Sequence, residues 1–200
     1  MKKLLLSILL GTAALGLQAQ TYCTPSYTTG CTVGDDIDDV YIGSFQDTGT
    51  GCTSSYYNVQ TSDTVFIQQT APTTISFTSN YFTQYFAVWI DFNDDGDFDD
   101  SGEHLWSSPT NAWSSTTGSI TVPSTVSLGS YRLRVRSKYS AVITATQSCS
   151  SFTYGEVHDY TTTITAPPAC PAPVFASLTA TDTTATLSWT SADTLFTVDY

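Results

Sequence analysis

The chain has 200 residues, of which 18 are acidic and six are Lys or Arg, so its formal net charge is −12 at pH 7. The phosphates of a nucleic acid require a basic protein surface. From this charge balance we therefore expect no nucleic-acid partner. An acidic chain is better suited to divalent cations, which bind carboxylate oxygens.

The first residues have the pattern of a signal peptide, predicted over residues 1–19. Lys2 and Lys3 precede an apolar run from Leu4 to Leu17, and Ala19 is a small residue at the expected cleavage position. No other apolar run is long enough to cross a membrane. The sequence therefore predicts a secreted or cell-surface protein without a membrane span.

All five cysteines lie beyond this leader, in a compartment where disulfides persist. Cys170 stands alone in the proline-rich segment 166–173, which we interpret as a linker. The other four allow three pairings. Among these we favour Cys31 with Cys52, which leaves Cys23 with Cys149.

Short segments rich in β-branched and aromatic residues recur between turn signals, and no window shows a sustained helical period. The pattern predicts an all-β, disulfide-braced antiparallel β-sandwich, jelly-roll-like, over residues 20–165. The predicted strands are Ile37 to Phe45, Thr64 to Gln69, Thr73 to Ser79, Gln84 to Asp91, His104 to Trp106, Gly118 to Val122, Ser130 to Tyr139 and Gly155 to Ile164.

Residues 91–103 form an acidic loop, with seven carboxylates and no Lys or Arg. Oxygen donors alternate at Asp91, Asn93 and Asp95, and Gly96 follows them. This is the first half of the pattern with which an EF-hand loop wraps calcium. Because the flanks are typical of strands, we expect the loop to join two strands and the calcium to be structural.

The second half of the loop departs from the EF-hand pattern, because the twelfth position is Gly102 and the glutamate comes one residue later. We expect Asp94 and Asp100 to point to water. A solvated hairpin tip without a metal is the alternative. The predicted ligands are the side chains of Asp91, Asn93, Asp95 and Asp99, the carbonyl of Asp97, and Glu103 as a closing ligand.

Residues 131–138 alternate between cations and other residues, so the cations Arg132, Arg134, Arg136 and Lys138 share one strand face. Glu156, His158 and Tyr160 share a face of the strand predicted to pair with it. We favour an ion-pair ladder between these two faces. The alternatives are a site for an anionic glycan or a peptide carboxylate, built from Arg134, Arg136, Glu156 and Asp159, and contact of Glu156 or Asp159 with the calcium loop.

Trp106 and Trp113 bracket a polar loop next to the acidic loop, where paired rings could stack on a sugar. Core filling is the alternative, and the commoner use of Trp.

Catalytic signatures are missing from the sequence, which has two histidines, no G-x-S-x-G and no H-E-x-x-H. A glycosidase pair of Glu103 and Glu156 is conceivable, but nothing singles it out. We predict that this region is not an enzyme.

Four blocks together resemble the GEVED domain of secreted bacterial proteins: the Tyr22-Cys23 start, residues 88–98, residues 132–136 and the Gly155-Glu-Val-His-Asp-Tyr160 segment. The resemblance covers about residues 22–165. His158 departs from it, because the family usually has Glu there. The resemblance implies a non-catalytic extracellular module of multidomain proteins, often with a sorting signal for type IX secretion.

Residues 174–200, with Ala185 to Trp189 and Leu195 to Tyr200 as predicted strands, are similar to the start of a fibronectin type III domain. Such domains often carry a late cysteine, which implies a partner for Cys170. The chain is thus expected to be part of a longer protein.

The function predicted from these features is that of a calcium-stabilised binding or adhesion module whose ligand is an extracellular glycan or protein. Two alternatives stay open. One is an accessory domain of a secreted peptidase or glycosidase whose catalytic domain lies outside this chain, and the other is a spacer.

Overall fold

The computed structural model describes residues 21–109, 115–167, 174–181 and 183–190. Strands account for almost all the regular structure in these ranges. They are β1 (Tyr27–Gly30), β2 (Asp39–Ile42), β3 (Phe45–Asp47), β4 (Tyr57–Gln68), β5 (Thr73–Thr78), β6 (Gln84–Asp91), β7 (His104–Ser107), β8 (Ser115–Ile120), β9 (Gly129–Tyr139), β10 (Phe152–Tyr154), β11 (Val157–Thr165), β12 (Val174–Ala180) and β13 (Ala185–Thr190), with one 3₁₀ turn at Ala145–Gln147.

Two sheets form the main body. One has the strand order β4-β11-β9-β6-β7 and the other the order β3-β2-β5-β8. Apolar side chains from both sheets meet in one buried cluster, where Phe77 of β5 stacks on Phe86 of β6 with ring centroids 5.4 Å apart. The predicted all-β sandwich is confirmed.

The two sheets differ in how their strands are buried. In β5, Thr73, Ile75 and Phe77 are buried and alternate with less buried residues, as expected for a strand with one face on the core. In β6, six consecutive residues from Phe86 to Asp91 are buried. The five-stranded sheet is therefore covered on both faces.

A second cluster covers the outer face of the five-stranded sheet. It contains Trp89, Phe98, Ile143 and Phe152, with the N-terminal segment packed against it through Tyr22 and Tyr27. The disulfide between Cys23 and Cys149 fastens this cover, and a second disulfide joins Cys31 to Cys52. These are the two pairs favoured from the sequence.

Most strand pairs are antiparallel, but β4 is parallel to β11 and β1 is parallel to β10. Parallel partners require a long crossover, and here each pair is separated by most of the domain. Alternation of residue type along one strand carries no information about such a distant partner. The two parallel pairs were therefore not expected from the sequence.

Strands β12 and β13 form an antiparallel hairpin. The predicted signal peptide, Trp113, Cys170, the linker core at 168–173 and the predicted strand Leu195 to Tyr200 lie outside the described residues. Over the ranges that the structure describes, no helix has the length and apolarity needed to cross a membrane.

Candidate functional site

The acidic loop connects β6 to β7 and is organised from inside by Asp91, the last residue of β6. Its carboxylate accepts hydrogen bonds from the backbone N–H groups of Asp94 at 2.7 Å and Gly96 at 3.0 Å, and from the hydroxyl of Tyr22 at 2.7 Å. Asp94 and Gly96 both have positive φ, as the tight turn requires. Asp91 thus holds the turn in place.

Glu103 closes the other end of the loop. Only 2% of its surface is exposed, and its carboxylate accepts from the backbone N–H groups of Phe92 at 2.9 Å and Asp100 at 3.3 Å. Burial raises the pKa of Glu103 to about 7, although these backbone bonds act in the opposite direction. The buried carboxylate therefore lacks full compensation from its neighbours.

The tip of the loop brings three exposed carboxylates together. One oxygen from each of Asp95, Asp97 and Asp100 lies within 4.8 Å of the others. The side-chain amide of Asn93 donates to Asp95 at 2.9 Å and to Asp100 at 2.6 Å. No Lys or Arg of the described residues forms an ion pair with this group, so its charges repel each other.

This grouping differs from the ligand set predicted from the sequence: Asp97 joins it through its carboxylate and not its carbonyl, Asp91 and Glu103 lie outside it, and Asp100 takes the place of Asp99. Asp100 was expected to point to water, yet it lies with Asp95 and Asp97. The carboxylate of Asp99 accepts instead from the hydroxyl of Ser148 at 3.0 Å. The structure therefore groups the carboxylates of Asp95, Asp97 and Asp100 at the tip, with the side-chain nitrogen of Asn93 toward them and Asp91 and Glu103 as the buried frame.

The cations of β9 line the outer face of the five-stranded sheet, as the alternation predicted, and Leu133 and Val135 point into the main core. Arg134 lies 4.6 Å from the ring centroid of Phe98, and Arg136 lies 4.1 Å from that of Phe152. Both arginines are fully buried. We call this surface the arginine face; its cations are Arg132, Arg134, Arg136 and Lys138.

Arg134 forms a bidentate ion pair with Asp159 of β11. Its Nε is 2.7 Å from Oδ1 and its Nη2 is 2.8 Å from Oδ2. Although burial lowers the pKa of Arg134, Asp159 outweighs this and raises it. Tyr57 donates to the same carboxylate at 2.6 Å, and Arg134 also donates to the carbonyls of Cys23 and Ser148. The pair is thus built into the fold, and its geometry is that of a structural contact.

The predicted ion-pair ladder from the arginines to Glu156, His158 and Tyr160 is wrong. In the antiparallel register, Arg136 is opposite Val157 and Arg134 is opposite Asp159. The even-numbered residues of β11 therefore share the face of Leu133 and Val135. Neither Glu156 nor Asp159 is bonded to the acidic loop.

Glu156 instead fastens the segments around Ile37 and Thr53. It accepts from the backbone N–H of Ile37 at 2.9 Å, and from the N–H and hydroxyl of Thr53 at 2.8 and 2.6 Å. Nε2 of His158 is 3.5 Å from its carboxylate. Burial would raise the pKa of Glu156, but His158 and these donors outweigh it and lower the pKa.

His158 continues this buried chain of polar groups. Its Nδ1 is 2.9 Å from the hydroxyl of Tyr160, which donates to Asp47 at 3.0 Å. The histidine therefore joins β11 to β3 through Tyr160. Sequence reasoning missed Tyr22, Tyr57 and Thr53 as partners, because their contacts join positions 69 to 103 residues apart.

Trp106 of β7 lies at the edge of the main core. Its ring is 5.9 Å from that of Phe77, and it covers Gly118 so closely that a Cβ there would lie 2.5 Å from the indole. This placement matches the core-filling alternative. The glycine in β8 is needed because the indole occupies the space of its side chain.

These contacts define an all-β, disulfide-linked module whose most prominent buried polar groups hold the fold together. Comparison with known families agrees: residues 85–163 match the family model of the GEVED domain. The matched segment contains the acidic loop, β9 and most of β11. It is similar to a family of non-catalytic accessory domains. No curated protein matches the chain.

Proposed function

We propose that this chain is a secreted, non-catalytic binding module that calcium stabilises. The observation that carries the calcium assignment is the exposed group of Asp95, Asp97 and Asp100, gathered at a tip framed by Asp91 and Glu103. Calcium takes six to eight oxygen ligands and tolerates irregular geometry, as a loop of this kind offers. The metal removes the repulsion between the three carboxylates.

The amide of Asn93 is the adjustable member of the site. Its nitrogen now donates to Asp95 and Asp100, and a rotation of the amide turns its oxygen toward the same place as a fourth ligand. Water and backbone carbonyls complete the shell. Extracellular calcium modules have Kd values of about 10⁻⁴–10⁻³ M, so millimolar calcium fills such a site.

The loop is connected to the cover of the arginine face, which gives calcium an influence beyond the tip. Asp99 accepts from Ser148, next to the disulfide at Cys149, and Phe98 lies against Arg134. Fixing the loop therefore fixes part of the second core cluster. Calcium at the tip acts as a structural ligand that favours the folded state by mass action.

The test is thermal unfolding of the chain in EDTA and in 10 mM CaCl₂. With Kd values of about 10⁻⁴–10⁻³ M, calcium adds about 1.4–2.7 kcal/mol to the free energy of unfolding. That corresponds to a rise in Tm of about 3–10 °C, which EDTA reverses. An equal Tm in EDTA and calcium would contradict the assignment.

Magnesium is the control for charge alone. It prefers rigid octahedral geometry and keeps its waters, so the same concentration of MgCl₂ is expected to raise Tm by a smaller amount. If the two ions act equally, the effect is general screening of the acidic surface and not a calcium site.

The binding role rests on the accessory class of the GEVED match. The proposed ligand is an extracellular glycan or protein, and the module serves adhesion or targeting. An array of glycans and matrix proteins tests this role with the calcium-loaded chain. Capture of no array member would favour a spacer that holds other domains apart.

A further inference from the structure

A small cavity lies away from the acidic loop, where the turn after β1 meets the ends of β9 and β10. Its volume is about 170 Å³, well below the roughly 300–1,000 Å³ of pockets that hold drug-sized ligands. A cavity of this size accommodates one side chain or head group. It is lined by Val33, Asp35, Tyr81, Tyr139 and Tyr154. We call it the tyrosine cavity.

Three tyrosine rings form the walls of the tyrosine cavity. The ring of Tyr139 is 5.9 Å from that of Tyr81 and 5.8 Å from that of Tyr154, with interplanar angles of 60° and 76°. Rings at such steep angles enclose a space instead of stacking into a flat surface. Tyr81 and Tyr139 are 41% and 40% exposed, so the walls are open to solvent.

Asp35 completes the lining. It is only 2% exposed, and the side-chain amide of Gln84, itself fully buried, donates to its Oδ1. In the ranges that the structure describes, no Lys, Arg or His forms an ion pair with Asp35. Asp36, the next residue, adds a second negative charge. A buried carboxylate is costly unless a cation or further donors reach it.

We propose that the tyrosine cavity binds the ammonium group of a lysine side chain on a protein partner. Electron-rich ring faces and a carboxylate are the groups that attract an organic cation. Such aromatic cages bind a cation in preference to a neutral group of similar shape. The net charge of −12 draws a basic partner toward this surface. This inference deepens the proposed binding function and rests on it.

The neighbouring surface supplies room for the main chain that carries the lysine. A shallow cavity of about 650 Å³ shares Tyr139 and Tyr154 with the tyrosine cavity, and its other lining includes Ser150, Ser151 and Thr153. Lys138 also lines it, with its ammonium group 4.4 Å from the ring centroid of Phe152. A sugar would instead need several polar donors around an open ring face, whereas Asp35 is the only non-aromatic polar residue among those lining the small cavity.

The experiment is an NMR titration of the calcium-loaded chain, with the tyrosine ring signals as the readout. The probes are the peptide acetyl-Gly-Ser-Lys-Ser-Gly-amide and the same peptide with acetylated lysine. We expect the lysine peptide to shift the signals of Tyr139 and Tyr154. Acetylation removes the charge and is expected to weaken binding about tenfold or more. Equal binding of both peptides overturns the proposal.

Variants separate attraction by charge from simple apolar contact. Asp35→Asn is expected to weaken binding about tenfold, whereas Asp63→Asn, an equal charge change at an exposed position, leaves it within about twofold. Tyr139→Phe keeps the ring and binding, and Tyr139→Leu keeps apolar area but loses binding. Unchanged binding by Asp35→Asn or Tyr139→Leu overturns the proposal.

Failure of the lysine cage can be distinguished from failure of the calcium assignment and of the binding role. A chain that keeps its calcium-dependent Tm but binds neither peptide refutes the lysine cage alone. Choline is a further probe: if it binds and the lysine peptide does not, the occupant is a head group and the proposal is wrong. Shifts produced only by neutral oligosaccharides, and unaffected by Asp35→Asn, assign the cavity to a glycan and also overturn it.

Discussion

The acidic loop and the arginine face each contain several charges of one sign. They differ in whether other parts of the protein neutralise those charges. On the arginine face, Arg134 is buried against Asp159, two carbonyls and an aromatic ring, all from distant parts of the chain. In the acidic loop, the carboxylates at the tip are exposed and make mostly local hydrogen bonds. Long-range packing neutralises the first group, and for the second we propose a mobile cation, calcium.

Two buried glutamates show the same difference. Burial would raise the pKa of both, but His158 and hydrogen-bond donors outweigh it at Glu156 and lower that pKa, whereas burial raises the pKa of Glu103 to about 7 and Asp91 adds to the rise. Both accept backbone N–H groups. Backbone hydrogen bonds alone therefore do not offset the burial of a carboxylate; at Glu156 the neighbouring His158 adds the lowering that Glu103 lacks.

The largest expected effect concerns the cover of the arginine face. Replacing Cys23 and Cys149 by Ser opens a loop with a sequence separation of 126, which by the chain-entropy estimate costs about 4–5 kcal/mol. Replacing Cys31 and Cys52, with a separation of 21, costs about 3 kcal/mol. Urea unfolding of both double variants measures the difference. The reverse order would show that the cover adds little.

Asp159→Asn is expected to cost about 3–5 kcal/mol, because it leaves the guanidinium of Arg134 buried without a carboxylate. Urea unfolding measures the loss, with Asp63→Asn as an exposed control that changes stability by less than about 0.5 kcal/mol. Removing both charges, with Arg134→Met and Asp159→Leu, is expected to recover part of the stability. A loss below about 1 kcal/mol for Asp159→Asn would mean that the pair is dispensable.

The acidic loop is tested with two neighbouring residues of identical chemistry. Asp100→Asn is expected to remove most of the calcium-dependent gain of about 1.4–2.7 kcal/mol, because Asp100 belongs to the group at the tip. Asp99→Asn is expected to keep that gain, since Asp99 is bonded to Ser148. Calorimetry with and without calcium measures both. The opposite outcome would favour the EF-hand-like ligand set predicted from the sequence.

The smallest effect is a change in pH dependence. The folded pKa of Glu156 lies below its ordinary value of 4.5, so its contribution to stability is present above pH 4.5 and is lost as the pH falls through the folded pKa. In Glu156→Gln, this part of the acid dependence is expected to vanish. Unfolding free energies measured between pH 7 and pH 3 test the sign, and an equal decline in both proteins would contradict it.

Local pattern was a good guide to several strands, although the predicted strand from Ile37 to Phe45 is divided between β2 and β3, and β4 begins at Tyr57 and not at Thr64. The predicted strands at Gln84 to Asp91 and Ser130 to Tyr139 agree with β6 and β9 within one residue at each end, because alternation and flanking turns are local properties. The cover of the outer face was not predicted. Its strands β1 and β10 are only four and three residues long, and most of the domain separates them along the chain.

The candidate site, like the strands, was predictable only where it depends on residues close together along the chain. The position of the acidic loop follows from its composition, and the shared face of the cations in β9 follows from a period of two. The sequence did not predict that Asp100, and not Asp99, joins the carboxylates at the tip. That choice depends on where the chain turns after Gly96 and on the hydrogen bond from Ser148 to Asp99. The tyrosine cavity had no signal in the sequence, since its walls come from three separate segments.

The sequence by itself determined the all-β class, the acidic loop between two strands and the GEVED-like blocks, since each depends on residues close together along the chain. Tertiary structure alone decided which carboxylate meets Arg134, because a one-residue shift in register moves every side chain of β11 to the other face. It also decided that Asp35 lies buried among tyrosines. Local patterns determine which residues can be buried, and long-range pairing determines what they are buried against.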